Sequence, residues 1–176
     1  MDRVFSFRPD DAGGPAYHRR MSGVVVITVS DRVSTGAAAD GSGPALIELL
    51  RQHGLEAGPV RVVPDEPAQI TSAIAAAVRE ASLVLTTGGT GLSPRDHTPE
   101  VTAAMADYLV PGLAEEMRRV GRQKTPMAVL SRAVVAVVGG TMVINLPGSV
   151  SGAVESLEAL LPVIPHALDQ IAGGDH

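Results

Sequence analysis

Apolar runs and amphipathic segments alternate along the first half of the chain. Runs of β-branched and other apolar residues predict three strands, at 24–29, 59–64 and 83–87. Apolar residues at helical spacing predict two helices between them, at 44–54 and 67–81. In the second of these helices, Ile70, Ile74 and Ala77 or Val78 fall on one stripe, which should face the core.

The second half of the chain continues with helical segments and one hairpin. Further helices are predicted at three places, from about Pro99, across 111–121 and from about Ser151. Pro162 and Pro165 should kink or divide the last of them. The apolar runs on either side of Gly139-Gly140 predict a β-hairpin.

The order of these elements predicts the fold class. Strands that alternate with helices are typical of an α/β protein with three layers, in which helices cover both faces of a mainly parallel sheet. The hairpin adds an antiparallel edge strand. We expect one domain over 23–176. Residues 1–22 have mixed charge and no periodicity, which predicts a flexible N-terminal extension; a targeting or partner-binding arm is the alternative.

The composition excludes several functions. The chain has 176 residues and no cysteine, so a disulfide framework and a thiolate metal site are excluded. Its net charge of -5 does not favour binding to nucleic acid or to an anionic membrane. Its one lysine, Lys124, does not follow a glycine-rich loop, which excludes a P-loop. No apolar run reaches the roughly 18 residues of a membrane span, and we expect a cytoplasmic protein.

The glycine-rich segment Thr86–Glu100 is the strongest candidate for a binding loop. It follows a predicted buried strand and leads into a predicted helix. Ligands of such sheets bind beyond the carboxyl ends of the strands, and glycines let a main chain approach a phosphate closely. A tight structural turn is the alternative. The candidate ligand-binding residues here are Thr87, Gly88, Gly89, Thr90, Gly91 and Ser93.

Two carboxylates follow neighbouring predicted strands and are the candidate metal ligands. Asp65 follows the second strand and Asp96 the third, so both should lie at one edge of a parallel sheet. Mg²⁺ binds through one or two carboxylates together with substrate phosphates. The alternative is that each aspartate caps the helix that follows it, and Thr98 is a candidate cap as well.

Weaker candidates lie in the other loops of the same edge. Asp40 is most simply explained as part of a helix cap, although its loop could also present N–H groups to a phosphate, and Ser149 precedes the last helix and is most simply a cap. The five histidines show no zinc spacing, and His97 beside Asp96 is best explained by a surface or supporting role. The further candidates for substrate or nucleotide binding are Ser30, Asp31, Gly41, Ser42, Gly43, Pro147, Gly148 and Ser149.

Several segments together resemble the MogA/MoaB family, whose molybdopterin-binding fold is shared with the G domain of gephyrin. They are VVVITVSDRVSTG, DGSGP, VVPDEP, TTGGTGLSPRDHTPE, VPGLAEEMR, TPMAVLSRAVVAV and INLPGSVSGAVESLEALLPVIPHAL, in this order, and they cover essentially 23–171. A non-enzymatic molybdopterin carrier or scaffold of the MoaB type is one alternative. An unrelated nucleotide-binding domain is another.

The resemblance implies an adenylyltransferase of molybdenum cofactor biosynthesis. Such an enzyme takes molybdopterin and Mg-ATP, releases pyrophosphate and leaves AMP on the terminal phosphate of the pterin. By the resemblance, Asp65 and Asp96 handle Mg²⁺ and catalysis, Gly88–Gly91 cradle the ligand, and Ser149 occupies a variable polar position. The resemblance also implies a homotrimer, and a separate molybdenum-insertion protein as a possible partner.

Overall fold

The structure is a computed structural model that describes residues 23–174. The predicted N-terminal extension, residues 1–22, lies outside this range. The described part contains six strands: β1 (Val24–Val29), β2 (Arg61–Val63), β3 (Leu83–Thr87), β4 (Tyr108–Leu109), β5 (Val135–Val138) and β6 (Thr141–Leu146). Its seven α-helices are α1 (Asp31–Ser34), α2 (Ser42–Gln52), α3 (Pro67–Ala77), α4 (Thr98–Met105), α5 (Pro111–Lys124), α6 (Val150–Leu160) and α7 (Ile164–Ile171). A 3₁₀ helix, Pro126–Leu130, follows α5.

The strands form one mixed sheet in the order β2-β1-β3-β6-β5-β4. The pairs β1–β2, β1–β3 and β3–β6 are parallel, and β5 is antiparallel to both β4 and β6. β1 and β3 pair along Val24↔Leu83 to Thr28↔Thr87, which brings their carboxyl ends level. The predicted α/β class with an antiparallel edge is confirmed.

Helices cover both faces of this sheet. One core cluster holds apolar residues of α2, α5, α6 and α7, among them Leu46, Met117 and Leu157. The other holds those of α3 and α4, including Ile70, Ile74 and Val101. All six residues of β1 are buried, as expected of a strand that lies between two helical layers. The predicted three-layer arrangement is therefore confirmed.

The predicted hairpin and the divided last helix are also confirmed. Gly139 and Gly140 connect β5 to β6 with φ of 56° and 81°, values that suit glycine in a two-residue hairpin turn. The predicted last helix is divided into α6 and α7, which are separated near Pro162. None of the helices in the described range is long and apolar enough to cross a bilayer.

Several element bounds differ from the prediction. α2 begins at Ser42 instead of Pro44, because the carboxylate of Asp40 accepts a hydrogen bond from the N–H of Gly43 (3.0 Å). α3 ends at Ala77 instead of 81, where the Thr141 hydroxyl of β6 donates to the carbonyls of Val78 (3.1 Å) and Ala81 (2.8 Å). Three short elements were not predicted: α1, β4 and the 3₁₀ helix.

Candidate functional site

The predicted loops converge at the carboxyl edge of the sheet. In the sheet, β2 lies on one side of β1 and β3 lies on the other side. The direction in which the chain adds strands to the sheet therefore reverses, and the reversal falls between β1 and β3. Crevices at such a reversal are the usual ligand sites of open α/β sheets. The glycine loop after β3 begins at this reversal.

Main-chain contacts fix the start of the glycine loop. Gly88 is buried with φ of 102°, and a β-carbon there would meet the carbonyl oxygen of Val29 at the end of β1. Gly89 has φ of 63°, and its carbonyl accepts from the N–H of Thr98 (3.2 Å). Gly148 lies against Gly88, and a β-carbon added to Gly148 would lie 3.2 Å from the Gly88 Cα. Both positive φ and close packing therefore require glycine here.

Asp65 is held by the loop that follows β1. Its Oδ2 accepts from the backbone N–H of Asp31 (2.9 Å), and its own N–H donates to Oδ1 of Asp31 (3.0 Å). A β-carbon added to Gly89 would lie 3.1 Å from Oδ1 of Asp65. The N-cap position of α3 belongs to Glu66 and has no side-chain hydrogen bond, so Asp65 is not the helix cap that the alternative predicted.

Asp96 lies beside another glycine of the same loop, Gly91. Its Oδ2 accepts from the N–H of Ser93 (2.8 Å), which closes a short turn, and would lie 2.9 Å from a β-carbon added to Gly91. His97 occupies the N-cap position of α4 without a side-chain hydrogen bond, so neither Asp96 nor Thr98 caps that helix. The Thr98 hydroxyl donates to the Gly88 carbonyl instead (3.0 Å).

Arg95 joins three loops of this edge. Its Nε and Nη2 donate to Oδ2 of Asp31 (3.2 and 2.8 Å), and its Nη1 donates to Oε1 of Glu66 (2.9 Å). The three residues follow β3, β1 and β2 respectively. Arg95 therefore links the segment that carries Asp96 to the two segments that hold Asp65.

Arg132 binds the main chain of the same loop. Its Nε donates to the Gly91 carbonyl (2.6 Å), its Nη2 to the Asp96 carbonyl (2.7 Å), and its Nη1 pairs with Glu100 of α4. Its backbone N–H also donates to the Thr90 carbonyl (2.9 Å). One guanidinium thus fixes both ends of the segment from Gly91 to Asp96. The sequence motifs gave no signal for it, since 36 residues separate Arg132 from Asp96.

The two linked aspartates differ in acidity. Burial raises the pKa of the Asp65 carboxyl, and the nearby carboxylates of Asp31 and Asp96 raise it further. The hydrogen bond from the Asp31 N–H acts in the opposite direction and lowers this pKa. The hydrogen bond from Arg95 lowers the pKa of Asp31, with a further contribution from the Asp65 N–H. Asp31 is therefore ionised more readily than a free aspartate, whereas burial opposes the ionisation of Asp65, which a bound cation would favour.

A cleft of ≈ 650 Å³ opens beside the loop, between α5, α6 and the 3₁₀ helix. Of the predicted residues it is lined by Gly89, Thr90, Gly91, Asp96, Pro147, Gly148 and Ser149. Its wall also contains Ala114, Met117, Ala128 and Leu130, and the cations Arg118 and Lys124. Neither cation was predicted as a site residue, because both belong to α5 and not to the loops that follow the parallel strands.

Other predicted residues have structural partners. The buried Thr87 hydroxyl donates to the Pro147 carbonyl (2.7 Å) and joins the ends of β3 and β6. Ser30 and Ser149 accept from backbone N–H groups as the caps of α1 and α6, and such hydroxyls still have a hydrogen to donate. Ser42 and Gly43 are buried at the start of α2, whereas Gly41 is exposed.

The donor set suits a cation that arrives with a phosphate ligand. Among residues 23–174, no three His, Asp or Glu side chains are grouped to enclose a metal ion. Asp65 and Asp96 offer hard oxygens beside two glycines of one loop, Gly89 and Gly91, which fits Mg²⁺ completed by phosphate oxygens. The sequence predicted this pair, and the structure brings both carboxylates to the glycine loop.

Comparisons with known proteins agree with this arrangement. The profile of a family described as a probable molybdopterin binding domain matches residues 25–166. A molybdenum cofactor biosynthesis bifunctional protein of Synechococcus elongatus is 43% identical over 172 residues, which cover 96% of this chain and 54% of that protein. This chain therefore spans about half the length of that relative.

Two further relatives match over nearly their whole length. A molybdopterin adenylyltransferase of Helicobacter pylori is 38% identical over 154 residues, 84% of this chain and 86% of that protein. The crystal structure of the molybdopterin biosynthesis enzyme MoaB of Thermus thermophilus is 49% identical with a TM-score of 0.81, and the match covers 87% of this chain and 98% of that chain. The chain belongs to the molybdopterin-binding domain family of molybdenum cofactor biosynthesis, together with MogA and MoaB.

Proposed function

We propose that this chain catalyses the Mg²⁺-dependent transfer of AMP from ATP to the terminal phosphate of molybdopterin. The observation that carries the proposal is the pair of carboxylates, Asp65 and Asp96, that lie beside two glycines of one loop, Gly89 and Gly91. The similarity to a molybdopterin adenylyltransferase over 84% of the chain supports it. The two glycines beside them, Gly89 and Gly91, leave room for phosphate groups at the main chain.

The chemistry needs positioning more than a protein nucleophile. A terminal phosphate oxygen of molybdopterin attacks the α-phosphorus of ATP, the bond to the bridging oxygen breaks, and pyrophosphate leaves. Gly88–Gly91 let both phosphates approach the main chain, and Asp65 and Asp96 fix where a cation can sit. When bound, Mg²⁺ neutralises charge on the phosphate oxygens.

The two substrates are assigned to the two sides of the glycine loop. The cleft beside Asp96 has aliphatic walls and a volume of ≈ 650 Å³, within the range of small-molecule sites, and takes the pterin. Arg118 and Lys124 in its wall offset the carboxylates of Asp96 and Glu155, so the cleft does not repel an anionic substrate. The nucleotide is assigned to the side of Asp65, beside Ser30 at the end of β1.

A second candidate function is binding without transfer. The 49% identity to the Thermus MoaB protein favours it, because this chain could then hold molybdopterin as a carrier or scaffold. In that case the cleft beside Asp96 is the whole functional site. ATP would not be consumed, and the oxygens of Asp65 would serve no reaction.

One incubation separates the two functions. The purified protein is mixed with molybdopterin, ATP and Mg²⁺, and the pterin fraction is analysed by mass spectrometry for attached AMP. The proposal predicts adenylyl-molybdopterin with Mg²⁺ and none with EDTA. Molybdopterin retained by the protein without any AMP would establish the carrier function instead.

We also propose that the chain assembles as a homotrimer, as the family resemblance implies. Large apolar side chains are exposed in the single chain, including Leu92 (65%), Met127 (62%) and Val129 (54%), and an interface would cover such residues. Light scattering tests this: a mass near three times the 18.1 kDa of the chain supports a trimer, and a mass near 18.1 kDa rejects it. A molybdenum-insertion protein is the proposed consumer of the product.

A further inference from the structure

The contacts of Asp31 raise a question about its part in the proposed reaction. Sequence reasoning placed it among the residues that touch the substrate or nucleotide. In the structure, Oδ1 accepts from the Asp65 N–H and Oδ2 accepts two hydrogen bonds from Arg95. Both carboxylate oxygens are thus already engaged by protein donors.

The backbone of Asp31 is engaged as well. Asp31 is the first residue of α1, where an N–H has no partner within its own helix. This N–H donates to Oδ2 of Asp65 (2.9 Å), while Oδ1 of Asp65 remains on the side of Gly89. The bond therefore decides which oxygen of Asp65 is turned toward the glycine loop.

We infer that Asp31 is a positioning residue for Asp65 and does not itself bind the substrate. The Asp31–Asp65 pair, with its two reciprocal hydrogen bonds, sets both the rotamer and the backbone position of Asp65. Arg95 supports the pair, because its guanidinium binds the Asp31 carboxylate. Arg95 also precedes Asp96 in the chain, and Asp96 carries the second carboxylate of the site. The inference rests on the proposed adenylyl transfer only for its kinetic readout.

Proline at position 31 offers a selective test of the N–H. Proline is tolerated at the first position of a helix, and α3, α4 and α5 already carry one in their first turn. Ser30 has φ of -166° and ψ of 121°, the extended conformation that a following proline requires. Asp31→Pro removes the side chain and the N–H, whereas Asp31→Ala removes the side chain alone, so the two variants form a matched pair.

The kinetic experiment compares turnover and KM in these variants. We expect kcat to fall about tenfold in Asp31→Ala and on the order of 10²-fold in Asp31→Pro, because small misplacements of a reacting group are costly. KM for ATP should stay within about twofold of wild type, since no substrate contact is lost. Equal kcat in the two variants, or a large rise in KM in Asp31→Ala, would overturn the inference.

The role of Arg95 is tested by a double variant. If Arg95 acts through Asp31, Asp31→Ala/Arg95→Ala should lose no more turnover than Asp31→Ala alone. Additive losses with a raised KM would assign Arg95 to a phosphate contact and overturn its supporting role. Arg51→Ala is the control, because Arg51 also makes an exposed two-point contact with a carboxylate, Glu48, far from this edge.

Crystal structures of the two variants test the inference without any turnover. Asp65 should keep its rotamer in Asp31→Ala and turn away from Gly89 in Asp31→Pro. An unchanged Asp65 in both structures would overturn the inference even if adenylyl transfer were established. Conversely, if the wild-type protein makes no adenylyl-molybdopterin, the proposed function fails while these structures still decide the role of Asp31.

Discussion

Arg132 offers a direct test of how the glycine loop is held in place. The substitution Arg132→Met keeps an unbranched apolar side chain but removes every donor of the guanidinium. The carbonyls of Gly91 and Asp96 then lose their hydrogen bonds (2.6 and 2.7 Å), and Glu100 loses its partner. We therefore expect a loss of stability and a loosened segment from Gly91 to Asp96.

The loss of unfolding free energy in Arg132→Met can be estimated from the hydrogen bonds that disappear and from the solvent exposure of the Arg132 side chain. Hydrogen bonds that involve a charged group contribute about 1.5–3 kcal/mol each. The Arg132 side chain is 32% exposed, so water replaces part of this contribution. We expect a loss of about 2–4 kcal/mol for the two carbonyl bonds together. At this chain length that lowers Tm by roughly 5–12 °C.

Thermal unfolding followed by circular dichroism measures this loss. Arg132→Lys should give an intermediate Tm, since a single ammonium group cannot reach both carbonyls and Glu100. Arg119→Met is the matched control: Arg119 makes an exposed two-point contact with Glu116 within α5, and its loss should leave Tm unchanged. A wild-type Tm for Arg132→Met would refute the reasoning.

Three further predictions concern the carboxylates and the loop. Asp65→Asn and Asp96→Asn should fold normally but lose on the order of 10²-fold in turnover, because each removes a charge that positions the phosphates; wild-type turnover in both would contradict the two-carboxylate mechanism. In EDTA, the Tm of Asp65→Asn should lie above that of wild type at pH 7, and this difference in Tm should become smaller as the pH falls toward 4. Burial raises the folded-state pKa of Asp65, so its ionisation disfavours folding above the ordinary value of about 3.9; a gap that did not depend on pH would show that ionisation is not the cause. Gly89→Ala and Gly139→Ala should each lose about 1–2 kcal/mol from a positive φ. Gly89→Ala should lose more stability than this and should also lose turnover, because its β-carbon meets Thr98 and Asp65, while that of Gly139 meets nothing within 4 Å. Equal turnover of these two variants would show that the loop tolerates a side chain.

The hydrophobic pattern along the chain was enough to predict those elements whose own residues determine their conformation. β1 and β3 are continuous apolar runs, and Gly139-Gly140 between two such runs fixes a hairpin. The end of α3 could not be predicted in this way. Thr141, which lies far along the chain in β6, donates to the carbonyls that follow the end of the helix. The two-residue β4 forms only because it pairs with β5.

In the candidate site, too, some residues could be predicted from local sequence, and others depend on contacts between distant parts of the chain. Asp65 and Asp96 were predictable because each follows a strand of a parallel sheet, and parallel strands bring their carboxyl ends to one edge. The residues that support them were not predictable in this way, since 41 residues separate Arg132 from Gly91 along the chain. Likewise, the reciprocal contact of Asp31 with Asp65 spans 34 residues and has no motif of its own.

Transfer of the nucleotide's α-phosphate tests the central proposal most directly. The protein is incubated with molybdopterin, Mg²⁺ and ATP that is radiolabelled at its α-phosphate, and the pterin is then separated and counted. Adenylyl transfer predicts label on the pterin with an equal amount of pyrophosphate released, and almost none with Asp65→Asn. Molybdopterin that is bound by the wild-type protein but carries no label would contradict the proposed function.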